Sequence, residues 1–408
     1  MRRHLPGFSA IANLGISSKL GLIVVVLALP IAALLFVQYQ QRADTQDQAS
    51  AEADGLDYVS AIIPFLREVQ VHRGLVQRVL SGDEFSRDNM VRTAAAADSA
   101  LAVINDIDSR RGKDFQTSAL VQFLNAEWPN VKEMQSSAIE ANDAHTRIIQ
   151  QGIFPLLSTV AIESKLVLDP DLDSRSVIVA LTDSLPRLTE ALSQSRSYGT
   201  AALLSRQGLP ANAEQKQFLT AQMSIAAAHA DALARSLETA MRENPDFEAT
   251  LRPIARRAET SRSVFADSTA SGIIEADALS STGAEGFFLL GGSAIDTSNQ
   301  LVAAAQETLD AQFAARTDAA QQEFVTYGGA AALIVTLALA LAVFISATIT
   351  RPLKHLAEVA DRMSLGELDV EIDVEGRNEV GQLAESLRRM QASLRSAIER
   401  LRQRRAAA

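Results

Sequence analysis

Asp169-Pro170-Asp171-Leu172-Asp173 places three carboxylates at alternate positions, which is how a calcium-binding loop opens. Such a loop needs a glycine at its sixth position and a glutamate at its twelfth. Counting from Asp169, these are Ser174 and Ala180, so the stretch reads as a solvated loop and helix cap. Gly291-Gly292 follows no strand and continues into no G-x-x-G, so it is not a phosphate-cradling turn. Trp128, before Pro129, reads as a packing residue. No Ser/His/Asp set, H-E-x-x-H or G-x-x-x-x-G-K-[ST] occurs. The absence of cysteine excludes a disulfide scaffold, a thiolate metal site and thiol catalysis. Neither an enzyme nor a cofactor or metal site is expected.

Two arginines stand in matching places. Ile63-Pro64-Phe65-Leu66-Arg67-Glu68 leads to His72-Arg73-Gly74, and Leu185-Pro186-Arg187-Leu188-Thr189-Glu190 leads to Ser195-Arg196-Ser197. Each stretch reads as a proline near a helix start, and each runs on to a breaker, Ser81-Gly82 or Gln207-Gly208. This weak repeat suits two stacked helical bundles. On residue type alone, each arginine is expected to form an inter-helix ion pair, with Glu68 or Glu190 as partner. His72 beside Arg73 reads as a packing or surface residue.

The elements that hold these residues follow from how charge is distributed. Residues 1–19 carry three Lys/Arg and no acid; residues 42–323 carry 24 Lys/Arg against 39 Asp/Glu; residues 351–408 carry 11 against 10. Between them lie two uncharged intervals, Leu20–Gln41 and Phe324–Thr350, of 22 and 27 residues. A helix needs about 20 apolar residues to cross a bilayer core. Both intervals are long enough, and a mid-span Pro30 is tolerable in a membrane helix. The first interval is too long for the apolar region of a secretory signal and lacks a small-residue cleavage site. Arg2, Arg3 and Lys19 precede the first span, and Arg351 and Lys354 follow the second. The positive-inside tendency then puts both termini in the cytoplasm and residues 42–323 outside an inner (plasma) membrane. An acidic middle between two apolar spans excludes a simple soluble enzyme, and it lacks the basic face a nucleic-acid binder needs.

Strand signals are nearly absent from residues 42–323. Apolar residues recur at three and four, and breakers come only at Ser81–Asp83, Arg111–Lys113, Leu168–Asp171, Gln207–Pro210, Asn244–Pro245 and Ser280–Gly286. The expected fold is all-α, a bundle of long helices or two stacked four-helix bundles. The first helix should run from the first span to about Leu80. The last should run from about Phe287 into the second span, with Val302, Leu309 and Phe313 on an inter-helix seam.

The segment from Ile349 to Leu401 holds two heptad stretches. Ile349, Pro352, Leu356, Val359 and Met363 step by three and four, as do Val380, Leu383, Leu387, Met390, Leu394, Ala397 and Leu401. Between them Glu367-Leu368-Asp369-Val370-Glu371-Ile372-Asp373-Val374 alternates acid and apolar with period two, the pattern of an extended segment with one buried face. Gly366 ends the first helix. Two helices joined by an extended linker of that length run parallel, and a single seam on each calls for a second copy: a homodimeric, parallel four-helix coiled coil. Residues 349–401 closely resemble a HAMP domain. The marks are Pro352 after the span, Gly366, the linker residues Leu368, Val370 and Ile372, and Glu379-Val380-Gly381 opening the second helix. The resemblance implies that this segment relays movement of the second span to a cytoplasmic signalling protein. Since only a basic tail, residues 402–408, follows, that protein is expected to act in trans.

LREVQVHRGLVQRVLSGD resembles the first helix of nitrate- and nitrite-sensing (NIT) domains, and LTEALSQSRSYGTAALLSRQG their matching later segment. GFFLLGGSAIDTSNQLVAAAQETLDAQFAAR resembles the membrane-entering helix of NIT-type and chemoreceptor sensor modules. This resemblance implies that Arg73 and Arg196, with His72 beside them, contact a small oxyanion, whose trigonal shape suits the planar fork of a guanidinium. The expectation is therefore a two-pass, homodimeric membrane receptor for a small ligand or a periplasmic partner. Two other readings stay open: a non-sensing scaffold or accessory subunit, and a chemoreceptor without its signalling tail.

Overall fold

The computed structural model describes residues 16–133, 137–205, 211–276 and 283–406. Among them every regular element is helical, as an all-α reading requires. Arg2, Arg3 and the breaker Gln207–Pro210 lie outside the described residues. The chain divides into two compact units, residues 44–319 and residues 1–43 with 320–408.

The larger unit is built on α1 (Ile16–Leu80), α2 (Arg87–Arg111), α3 (Ser118–Glu133), α4 (Ala138–Ile148), α5 (Phe154–Glu163), α6 (Leu172–Val179), α7 (Leu185–Ser205), α8 (Ala213–Glu243), α9 (Asp246–Thr269) and α10 (Ala284–Ile345). Single π turns join α4 to α5 and α6 to α7, so Ala138–Glu163 and Leu172–Ser205 are each continuous helical rods. One hydrophobic core draws on nearly all of these helices, with Ile62 and Phe65 of α1, Trp128 of α3, Leu157 of α5, Leu192 of α7 and Leu301 of α10 buried together. On α10, Val302 and Leu309 are buried and Phe313 packs half-buried beside them.

Two expectations need correction. Pro64 does not lie near a helix start; it sits inside the 65-residue α1. A proline there removes one backbone hydrogen bond, and burial of Ile62, Ile63, Phe65 and Leu66 around it outweighs that loss. The Asp169–Asp173 loop is only partly solvated: Pro170, Asp171 and Leu172 are exposed, but Asp169 is not. Asp169 is fully buried: its Oδ1 accepts from the Asp171 N–H and from Ser174 Oγ, each at 2.9 Å, and its Oδ2 accepts from Arg316 Nη1 at 2.8 Å. Arg316 Nη2 also meets Asp171 Oδ2 at 2.7 Å. Asp171 stands at the N-cap of α6 and makes no side-chain capping bond. A guanidinium brought by α10, distant in sequence, takes the place at Asp169 that water was expected to fill.

In the smaller unit, residues 320–345 of α10 present apolar side chains outward, including Leu333, Ile334, Leu337 and Phe344. Ala284–Ser364 is a helix long and apolar enough to cross a membrane. The uncharged interval Leu20–Gln41 is helical throughout, as part of α1. A π turn at Ser346–Thr350 leads into α11 (Arg351–Ser364), and α12 (Glu379–Ala406) follows an extended linker.

Candidate functional site

Arg73 comes from α1 and is fully buried, and Glu190 on α7 meets it with both oxygens. Nη1 reaches Oε1 at 2.6 Å and Nη2 reaches Oε2 at 2.9 Å. Arg73 Nη2 also donates to Ser193 Oγ at 3.1 Å. Gln70 and Gln194 donate to the same carboxylate at 3.1 and 2.7 Å. Desolvating such a pair is repaid only when geometry is good and the remaining lone pairs are satisfied; here four side-chain donor bonds converge on Glu190. Glu68, the other partner considered, turns to Arg67 at 2.8 Å.

Arg196, two turns further along α7, is treated differently. It is buried, and among the described residues neither its Nε nor its Nη2 has a hydrogen-bond partner. Burial pushes its pKa down to about 10; the charge of Asp296 opposes this, and those of Arg73 and Arg78 add to it. Its guanidinium carbon lies 4.7 Å from the centroid of Phe288, a ring that Arg78 also covers at 4.4 Å. Glycines on two other helices make the slot. A Cβ on Gly291 of α10 would come within 2.7 Å of the Arg196 stem, and one on Gly74 of α1 within 3.4 Å of Nη2. Gly74 and Gly291 thus belong to the site through the side chains they lack. The sequence signal was the glycine beside Arg73 and the Gly-Gly pair, whose purpose is visible only once three helices meet.

His72 lies one residue before Arg73 and forms a second buried cluster. Its Nδ1 is 2.8 Å from Nε2 of His145 on α4, and the two rings stack with centroids 5.1 Å apart. His145 Nδ1 is 2.6 Å from the Ala141 carbonyl, which can only accept. His145 therefore carries its proton on Nδ1 and accepts at Nε2 from His72 Nδ1–H. His72 Nε2 is left as a bare lone pair, buried and without a partner among the described residues. Burial lowers the His72 pKa to about 4, with Asp98 opposing and Lys132 adding. Burial, then His72, hold His145 well below the ordinary value, with the Ala141 carbonyl opposing and Arg73 adding. Trp128 stands edge-on to both rings and donates from Nε1 to Asp98 at 2.8 Å. It packs as expected, yet it also walls off the histidine pair. His145 was not anticipated; nothing in its sequence surroundings singles it out.

The relay segment has its own geometry. Leu356, Val359 and Met363 of α11 are buried against Ile372 and Val374 of the linker and Ala384 and Leu387 of α12, with Val370 and Val380 partly covered. Gly366 (φ +96°) turns the chain out of α11. α12 holds the linker by its carbonyls: Gln391 Nε2 donates to Leu368 and Val370 at 3.0 and 2.7 Å, and Arg388 Nη2 donates to Val374 at 2.5 Å. Arg395 pairs with Asp369. The start of the linker thus lies further along α12 than its end, so the linker runs against α12, and α11 and α12 run parallel. Arg388 and Gln391 were missed because their task is defined by backbone carbonyls, which a sequence pattern does not show. Pro352 sits in the first turn of α11, and Glu379 opens α12. Leu383, Met390 and Leu394 remain exposed on α12, and Leu383 and Met390 border a cleft of about 630 Å3 with Leu353 and Leu356.

Residues 344–396 are a HAMP domain; they match the family model of that description. A sensory transducer protein of Acetivibrio thermocellus is 44% identical over 61 residues, 15% of this chain and 11% of that protein. The methyl-accepting chemotaxis protein TlpB of Bacillus subtilis is 45% identical over 58 residues, 14% of this chain and 9% of that protein. The matches thus cover about a tenth of the length of these relatives. The solved structure of the NasR transcription antiterminator superposes with a TM-score of 0.49 and 17% identity, over 88% of this chain and 94% of that one.

Proposed function

We propose that the chain is a two-pass, homodimeric membrane receptor whose outer helical unit binds a small oxyanion of the nitrate or nitrite kind at Arg196. Its HAMP domain then passes the bound state to a cytoplasmic signalling protein. The observation that carries the ligand is the inequality of the two arginines. Arg73 is neutralised by Glu190 and leaves only its Nε without a partner among the described residues, whereas Arg196 is buried with both Nε and Nη2 unpartnered. An unpaired buried charge costs several kcal/mol, and an anion beside Nε and Nη2 offsets much of that cost. Arg73 then acts on the anion through its charge and through its hold on α7, rather than as a free contact. HAMP at residues 344–396 and the names of the relatives support the signalling role.

Binding energy that differs between two packings shifts their populations. Arg196 leans on Gly291 and Phe288 of α10, and the helix that begins at Ala284 runs to Ser364. An anion that repositions Arg196 acts directly on this helix, which leads into the relay. The test uses the single tryptophan. Trp128 is buried in the outer core, so its fluorescence reports melting of that unit in the full chain in detergent. Millimolar nitrate, against chloride at equal ionic strength, should raise the melting temperature. Arg196→Met should abolish the rise, and no rise in the unmutated chain rejects the oxyanion reading.

A further inference from the structure

The larger unit holds a cavity of about 390 Å3 between the end of α1, the turn after it, α7 and the start of α10. Arg78, Asp83, Phe85, Thr200 and Glu285 line it. One guanidinium meets two carboxylates there, with Arg78 Nη2 2.6 Å from Asp83 Oδ2 and 2.8 Å from Glu285 Oε2. These charges leave the lining with a surplus of one negative charge. The carboxylates differ in freedom. Asp83 is nearly buried and also accepts from Ser86 Oγ at 2.8 Å, while the Glu285 side chain is 66% exposed. Gly82 (φ +100°) shapes the turn that closes this side of the cavity.

Thr200 departs from the habit of its neighbours. A threonine inside a helix ordinarily turns its hydroxyl onto a carbonyl of the preceding turn, as Thr269, Thr297 and Thr308 do. Thr200 is 1% exposed, and among the described residues its Oγ1 has no partner. A buried acceptor left unpaired costs free energy, and Thr200 is one of the residues that line this cavity; a turn about its Cα–Cβ bond would bring the hydroxyl to it. Phe85, 97% exposed, adds an aromatic face at the rim.

We propose that this cavity binds a small organic ammonium ion. Its N–H groups donate to Glu285 and to Thr200 Oγ1, its charge lies against the face of Phe85, and its hydrocarbon part meets Leu204 and Ala284. Arg78 stays neutralised by Asp83 when Glu285 swings to the ligand. Anions are disfavoured by the two carboxylates, so this ligand differs in sign from the one at Arg196, and the site goes beyond the oxyanion reading.

The experiment is Trp128 fluorescence melting of the full chain in detergent with n-butylammonium chloride. Sodium chloride and sodium butyrate at equal ionic strength are the controls. At about tenfold excess over Kd, the ammonium salt alone should raise the melting temperature by roughly 3 °C or more. Glu285→Gln and Thr200→Val should each remove the rise, and Phe85→Ala should weaken binding roughly 2–5-fold. Glu285 and Phe85 are exposed, so those variants test the site even if Thr200→Val does not fold. Arg196→Met, which removes the nitrate response, should keep the ammonium response, so each site can fail alone. No rise, an equal rise with sodium chloride or butyrate, or an undiminished rise in Glu285→Gln overturns the proposal.

Discussion

Acid should loosen the larger unit before it titrates most carboxylates, and the histidine pair sets the size of the effect. In the unfolded chain His72 takes a proton near the ordinary value of 6.5, whereas folded it does so only at about 4. The folded state therefore refuses a proton that the unfolded state binds. Stability is unaffected above pH 6.5, falls as pH drops through the interval between the two values, and levels off below about pH 4. At about 1.4 kcal/mol per pH unit, His72 alone costs ~3 kcal/mol across that interval. His145 is shifted in the same direction, so the slope approaches two protons while both stay neutral. Asp98 opposes the effect, Lys132 adds to it at His72, and Arg73 adds to it at His145. The carboxyls of Glu52 and Asp310 are raised, mainly by burial, and stabilise the folded state on acidification, but only as pH approaches their own range. The assay is urea unfolding of the full chain in detergent, followed by Trp128 fluorescence between pH 7.5 and about 4.5. The midpoint should fall steadily below pH 6.5, and His72→Gln should roughly halve the slope. A flat midpoint from pH 7 to 5, or the same slope in His72→Gln, would refute the proton assignment built on the Ala141 carbonyl.

Other consequences can be checked by simple variants. Glu190→Gln strands Arg73 as a buried, unpaired charge and should lower stability by about 3–5 kcal/mol, read as a loss of urea midpoint at pH 7.5. Gly291→Ala places a methyl within 2.7 Å of the Arg196 stem; it should cost about 1–3 kcal/mol and weaken nitrate binding without moving the ammonium response. The chain has no cysteine, so single introduced thiols are clean probes. Ser99→Cys, exposed on α2, should react with a membrane-impermeant label in whole cells, whereas Ser396→Cys should be protected; the reverse pattern would invert the proposed topology.

The inner segment was the more legible part of the chain, because its information is local. Heptad steps, a period-two linker and Gly366 name their own conformations, and the family match, residues 344–396, overlaps most of the stretch read as 349–401. What the pattern could not show was the role of Arg388 and Gln391, whose partners are main-chain carbonyls. In the larger unit, helical periodicity was plain, but contacts between distant helices decide its chemistry. Arg73 and Arg196 look equivalent along the chain, and only packing separates them. Glu190 lies one turn before Ser193 on the face of α7 that meets Arg73, whereas Arg196 falls between Gly74 and Gly291. The Asp169 loop misled for the same reason, since Arg316 is 147 residues away. Pro64 misled because local preference marks it as a helix start, and the buried residues around it override that preference.

In the proposed receptor, an anion bound at Arg196 is felt in HAMP. Met390 is 49% exposed on α12; in the proposed homodimer the heptad steps put it on the inter-chain seam and Arg389 beside it off that seam. In membranes, Met390→Cys should form inter-chain disulfides much faster than Arg389→Cys. The decisive comparison is the Met390→Cys rate in nitrate against chloride. A rate that changes with nitrate, and no longer does so when Arg196→Met is added, is the predicted result. A rate indifferent to nitrate in a chain whose melting temperature does respond to it would contradict the relay.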